Sequence, residues 1–286
     1  MTIMKPIMSL LLAGSVSAIA VAWAQMPAAD HADQSLTVDE IVAKNAAARG
    51  GDDAWRKVQA MMWAGHVDSA NAPTPSVPFV LALKRPSSTR FELTAMNQHV
   101  LRMFDGKAGW KIRPSSDGMP DVQAYSPSEV RYASEEQVID GPLLDHAAKG
   151  IAVSLEGNEM IDDRKTYRLL VTLPSGAHRH VWVDAQSFLD VKYDREAPNL
   201  LTGKPVTVEV SYRDYHDVDG LKLPYTIESG VVGAPKKDKL VIDRVSINPP
   251  LNDNMFVKPV IAGRRGSVTV GVEGAPPTRS AFRQMP

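Results

Sequence analysis

Cysteine is absent from the 286 residues. That excludes disulfides, thiol nucleophiles, thiolate zinc sites and iron–sulfur clusters. It also excludes a lipid-modified cysteine behind a leader. An excess of one charge is missing too, with 32 basic against 33 acidic residues. So flat a balance gives no electrostatic footprint for nucleic acid. Catalytic signatures are absent: there is no G-x-S-x-G elbow, no P-loop, no dinucleotide glycine pattern and no H-E-x-x-H. No repeat of 20–50 residues stands out. What remains is ordinary for a globular chain, with 44% hydrophobic and 23% charged residues. A wholly disordered chain and a multi-span membrane protein are both poor fits to that mix.

The one long apolar run lies at the start, in MTIMKPIMSLLLAGSVSAIAVAWA. Lys5 is its only charge, and it closes on the A-x-A site Ala22-Trp23-Ala24. This is the layout of a secretory signal peptide over 1–24, with cleavage expected before Gln25. An uncleaved anchor is the alternative, because the run approaches the length of a spanning helix. Losing Lys5 leaves 31 basic against 33 acidic residues, a net charge of -2. The mature protein is expected in the periplasm with no membrane span. Residues 25–35 are small and polar and read as a linker.

A helix is expected from Thr37, an N-cap with Glu40 at the capping-box spacing. Gly50-Gly51 stops it, and a short turn DDAWRKV follows. From Met61 onward, period-two alternation dominates. Phe79, Leu81, Leu83, Phe91, Leu93, Leu101, Met103, Trp110 and Ile112 form an in-phase apolar set and, with Trp63, are the expected lining of an apolar cavity. Asp105-Gly106, Asp162-Asp163 and Asp219-Gly220 mark turns. Residues 127–149 read as two short helices broken at Gly141-Pro142 and ending at Gly150. Strands resume over 151–160, 164–173, 178–184 and 187–195, then through Val206–Tyr212, LKLPYTIES and 239–247. DNMF reads as one closing turn, and 261–286 as a weakly ordered tail.

Ten to twelve strands in sequential hairpins imply an α+β fold, an antiparallel sheet that curls to enclose an apolar space. Two separate sandwich domains are the other arrangement. His178-Arg179-His180 has ligand-like spacing on a strand, but no third ligand accompanies it. Asp217-Val218-Asp219-Gly220 opens like a calcium loop yet lacks the later acidic positions, so it reads as a hairpin turn.

Five segments carry a resemblance: LTVDEIVAKNAAARGGDDAWRKV, VLALKRPSSTRFEL, LRMFDGKAGWKIRP, VEVSYRDYHDVDGLKLPYTIE and VSINPPLNDNMFVKP. Together they resemble the LolA/LolB-type carriers, particularly the longer outer membrane lipoprotein-sorting relatives, over about residues 36–260. The resemblance implies a half-open antiparallel barrel with helices over its concave face. It also implies an apolar cavity for lipoprotein acyl chains or other hydrophobic cargo, a delivery partner at the inner or outer membrane, no cofactor and no catalysis. At the K-R-P motif it implies that Arg85 bonds helix carbonyls and latches the lid. The carbonyls near Gly141-Pro142 or Gly150 are the expected partners. The absent amino-terminal cysteine departs from the anchored receptors of that group and favours a soluble shuttle or sensor. A sensor of the RseB/MucB type, or an exported enzyme on a similar sheet, are the alternative functions.

Overall fold

The computed structural model describes residues 36–69, 76–95, 98–114, 120–136, 139–199, 202–264 and 267–271. The expected signal peptide and linker lie outside the described residues. Two helices open the chain, α1 (Val38–Ala48) and α2 (Asp52–Lys57). Six strands follow: β1 (Ala60–Asp68), β2 (Val77–Lys84), β3 (Ser88–Ala95), β4 (Gln98–Phe104), β5 (Gly109–Pro114) and β6 (Pro120–Ala124). After helix α3 (Pro127–Glu135) come β7 (Ala152–Ile161), β8 (Arg164–Thr172), β9 (His178–Asp184) and β10 (Asp190–Pro198). Three long strands complete the sheet: β11 (Pro205–Val218), β12 (Leu221–Val231) and β13 (Asp238–Ile247).

These thirteen strands form one open antiparallel sheet, one strand more than the upper expectation. A single sheet also disposes of the two-sandwich arrangement. Its order is β6-β5-β4-β3-β2-β1-β13-β12-β11-β10-β9-β8-β7. The sheet is thus two meanders joined where β1 pairs with β13. The edge strands β6 and β7 are consecutive in sequence but lie at opposite ends of the sheet. Their connection, which contains α3, must span it.

The local signals act as elementary chemistry dictates. Thr37 and Glu40 make the reciprocal capping box of α1, and Ser126 and Glu129 make that of α3. Asp162-Asp163 and Asp219-Gly220 close two-residue hairpins in which all four residues have positive φ. The 139–150 stretch is a chain of turns and not the second helix expected there. Asp145, at φ 50°, interrupts the helical path, and Arg56 holds its carboxylate through two bonds of 2.9 and 2.6 Å. β10 starts three residues later than read, because Asp184 accepts from the Gln186 and Ser187 backbone N–H groups and winds a turn first. The closing turn at DNM is a single 3-10 turn, as read. Val260–Arg264 (β14) and Ser267–Gly271 (β15) pair as a separate hairpin inside the segment read as a tail.

Two of the three apolar clusters lie on the face that carries the connection. One gathers Trp55 and Val58 with Met61, Trp63, Phe79, Leu83, Leu144, Leu221, Leu223 and Ile242. The other gathers Ile41 of α1 and Leu143 with Leu169, Val171, Val181 and Val183. Leu143 and Leu144 therefore join the two halves. At Gly65 the β1–β13 register shifts, and a Cβ there would lie 2.0 Å from the Val241 carbonyl oxygen. Only glycine fits so close a backbone approach. At Gly50, φ is +114° and a Cβ would lie 2.3 Å from the Gly220 carbonyl, so the α1–α2 junction rests directly on the β11–β12 turn.

Gly65→Ala is expected to force the two meanders apart at the β1–β13 seam, costing about 1–3 kcal/mol as overpacking does. Urea unfolding measures it, and an unchanged midpoint would mean the seam yields freely.

Candidate functional site

The sheet and its connecting segments line a half-open cavity of about 660 Å³. One wall is apolar, with Trp63 of β1, Leu81 and Leu83 of β2, and Phe91 of β3. It continues across the seam into Leu223 and Ile227 of β12 and Leu240 of β13. Trp55 of α2, Tyr132 and Ala133 of α3, and Ile139, Pro142 and Leu143 supply the facing side. Tyr193, Tyr212 and Tyr215 form a more polar third wall. Burial pushes all three phenols up, so they stay neutral hydroxyls. Tyr215 donates to the Asp190 carbonyl at 3.0 Å, and the Tyr193 and Tyr212 rings stack 5.8 Å apart.

Helix α3 touches β5 at one end and β10 at the other. Its amino end is tied by Glu129, whose carboxylate accepts from Lys111 at 2.9 Å and from Arg102 at 3.3 Å. Burial acts to raise the Glu129 pKa. The Lys111 ammonium, the Ser126 N–H and Arg102 outweigh it and hold it at about 2. The carboxyl end is tied more loosely. Arg179 donates to the Glu135 carbonyl at 3.0 Å, and Glu136 lies 3.5 Å from Arg179 and 3.2 Å from Arg195.

Asp140, only 4% exposed, gathers three cations beneath the connection. Arg85 Nη2 donates to one carboxylate oxygen at 2.7 Å, and Lys149 Nζ donates to the other at 2.7 Å. Arg49 takes the Asp140 carbonyl at 2.9 Å and stacks over Trp55 at 4.6 Å. Burial, with Arg85 and Arg49 close by, pulls the Lys149 pKa down despite its bond to Asp140. Arg85 also donates to the Val58 carbonyl at 2.7 Å and to the Trp55 carbonyl at 3.2 Å. Its carbonyl partners are therefore at the end of α2. The Gly141-Pro142 break contributes a neighbouring carboxylate, and the break's own carbonyls go to Arg49 and Lys149.

The ten apolar residues read as one lining separate into three groups. Trp63, Leu81, Leu83 and Phe91 line the cavity. Phe79 and Leu93 share their face and extend the same core, with the Phe79 and Phe91 rings 5.8 Å apart. Leu101, Met103 and Ile112 form a separate buried cluster with Trp110 against it. The register explains this correction. Leu81 pairs with Phe91, Phe91 with Arg102, and Arg102 with Lys111, and directly opposed residues share a face. Arg102 and Lys111 therefore face the cavity side, while Leu101, Met103, Trp110 and Ile112 face outward. There the segment after β13 folds over them. Met255 accepts from Arg90 at 3.2 Å, and Leu251 accepts from Lys84 at 3.0 Å. Sequence reading missed Trp55, Tyr132, Leu143 and Tyr212 as lining residues. The clean alternation through Val210 and Tyr212 was the signal available for the last of these.

His178 bonds Thr172 at 3.1 Å, and His180 lies 2.8 Å from Asp194. No group of three His, Cys, Asp or Glu side chains suited to a metal occurs among the described residues. Asp217 accepts from the Gly220 N–H at 3.0 Å, the hairpin-turn role read for it.

A carboxylate held below its ordinary 4.5 stabilises the fold above that value and loses the contribution as pH falls toward 2. Glu129→Gln is expected to cost roughly 3 kcal/mol at pH 7, by leaving Lys111 unpaired. The gap to the natural protein should narrow between pH 4.5 and 2. Urea midpoints across that range test it, and a gap independent of pH would remove the ionised Glu129 from the account.

No protein-family profile matches the sequence, and no curated protein matches it. Solved structures do. A LolA superfamily protein from Nitrosomonas europaea superposes with a TM-score of 0.50 at 17% identity, over 78% of this chain and 99% of that one. A domain described as an outer membrane lipoprotein-sorting protein, from Vibrio parahaemolyticus, gives 0.49 at 14% identity, over 76% and 94%. A DUF1329 family protein from Desulfovibrio piger gives 0.48 at 12%, over 78% and 98%. The chain shares its fold with that LolA superfamily protein from Nitrosomonas europaea.

Proposed function

We propose that the chain is an exported, non-enzymatic carrier of lipid-like cargo, lipoprotein acyl chains or a comparable hydrophobic ligand, held between the sheet and the segments that cover it. The observation that carries this reading is the cavity. Its volume of about 660 Å³ falls within the range of small-ligand sites. Its wall of Trp63, Leu81, Leu83 and Phe91 offers a continuous apolar surface. Each cargo methylene buried there contributes about 0.8 kcal/mol. The opening segment supports export to the periplasm, where a carrier meets inner- and outer-membrane partners. Among the described residues no helix is long and apolar enough to cross a membrane.

Arg85 is the latch in this reading. It ties the end of α2 to Asp140 of the connection, so admitting a chain between them means breaking charge-assisted hydrogen bonds. Those bonds oppose loading and favour discharge.

A fatty-acyl probe titrated into delipidated protein is expected to change tryptophan emission through Trp63 and Trp55, both on the cavity. Trp63→Phe should remove much of the change and Trp110→Phe very little, because Trp110 packs on the outer face. Saturable binding with no emission change in any of these proteins would place the cargo elsewhere. Arg85→Leu is expected to bind the probe at least as tightly but to pass it to acceptor liposomes more slowly. Losing the donors to Trp55 and Val58 should cost about 1–3 kcal/mol of stability. Weaker binding with unchanged transfer would reverse the assigned role.

A further inference from the structure

Buried polar atoms in folded proteins nearly always have a hydrogen-bond partner. Among the described residues four buried side-chain atoms have none, and three belong to this cavity or its rim: Trp63 Nε1, Arg195 Nε and Glu135 Oε1. Arg195 and Arg179 both line the cavity at the carboxyl end of α3. The Arg195 Nε stands 3.2 Å from Glu136 without a hydrogen bond to it, while Arg179 donates to the same carboxylate at a long 3.5 Å and to the Glu135 carbonyl at 3.0 Å. Glu135, beside them, leaves one oxygen buried and unmatched. At the other end of α3, Glu129 is fully engaged by Lys111, Arg102 and the Ser126 N–H. The helix is thus anchored at its amino end and poorly satisfied at its carboxyl end. Two guanidiniums stand there beside an apolar chamber, one with an unmatched Nε and one with a long bond to Glu136.

From this geometry we infer that the cargo is an anionic amphiphile whose headgroup pairs with Arg179 and Arg195 in place of Glu136, while its chain lies along Trp63, Leu81 and Phe91. The inference rests on the carrier reading and adds the headgroup to it. Guanidinium forks suit a phosphate or carboxylate, which can accept from both arginines at once. Glu136 then acts as a built-in competitor. It covers the arginines in the empty protein and yields them to a headgroup with better geometry. Arg102 and Lys111 remain with Glu129, so the helix swings from that end.

The test is calorimetric titration with dodecyl phosphate, dodecanol, dodecyltrimethylammonium and inorganic phosphate. The natural protein should bind dodecyl phosphate at least about 10-fold more tightly than dodecanol, with the cationic amphiphile weakest and inorganic phosphate alone undetectable at millimolar concentration. Arg195→Gln should erase the preference for phosphate over alcohol without changing the affinity for alcohol, and Arg195→Lys should restore part of it. Glu136→Gln should tighten dodecyl phosphate several-fold and leave dodecanol unchanged. Equal affinity for phosphate and alcohol would overturn the headgroup assignment while leaving the carrier reading intact. Inorganic phosphate binding as tightly as the amphiphile would also overturn it, by separating the anion site from the cavity. Failure of all three amphiphiles to bind would instead defeat the carrier reading itself.

Discussion

The architecture depends on one topological constraint: β6 and β7 are consecutive strands at opposite edges of a thirteen-stranded sheet. No tight turn can join them, so the chain between Ala124 and Ala152 has to traverse the sheet. That segment carries α3, the 139–150 turns, Asp140 and the paired leucines 143 and 144. Every tie that closes the cavity acts on it. Glu129 fastens it to β4 and β5, Glu136 approaches β9 and β10, and Asp140 receives Arg85 and Lys149 between. The traverse is held by these charged ties together with buried Tyr132, Ile139, Leu143 and Leu144. Such ties are directional and can be exchanged for other ionic partners, whereas a greasy seal would have to be broken wholesale.

Much of this was legible in the residues, and the failures follow one rule. Caps, hairpins and strand alternation are local, and the capping box at Thr37 and the turns at Asp162 and Asp219 formed where they were read. Face assignment is not local. Leu101 and Met103 alternate as well as Leu81 and Leu83 do. Only the register across the β3–β4 hairpin decides that Arg102 turns toward the cavity and the two apolar neighbours turn away. Likewise, Asp145 gave no warning that Arg56, 89 positions distant, would hold it in a conformation that stops a helix. The inward phase of Arg85 was visible from its spacing to Leu81 and Leu83. Its partners at the end of α2 were not, because the sequence does not say where α2 docks.

The cavity also differs from a plain apolar slot. Three neutral tyrosine hydroxyls stand on one wall, and arginines occupy both ends of the strap that covers it. Burying such groups requires partners, and Tyr215, Arg102 and Arg179 have them in the Asp190 carbonyl, Glu129 and the Glu135 carbonyl. Retaining them next to an open volume makes the chamber amphipathic, and amphiphiles match that pattern better than pure hydrocarbons.

The pairing of β1 with β13 has a consequence for how the molecule is built. Within each meander, neighbouring strands are joined by short connections and can zip up locally. The seam joins Met61 to Ile247, among the most distant pairings in the chain. Closing so long a loop carries a large entropic cost and belongs late in folding. Until it closes, β1 and β13 are two bare sheet edges flanked by apolar residues, the template on which unfolded copies add to one another. The bulge opposite Gly65, which leaves Asp243 of β13 out of the pairing, twists one of those edges out of flat register. A kink that serves the finished sheet therefore also discourages the half-built one from polymerising.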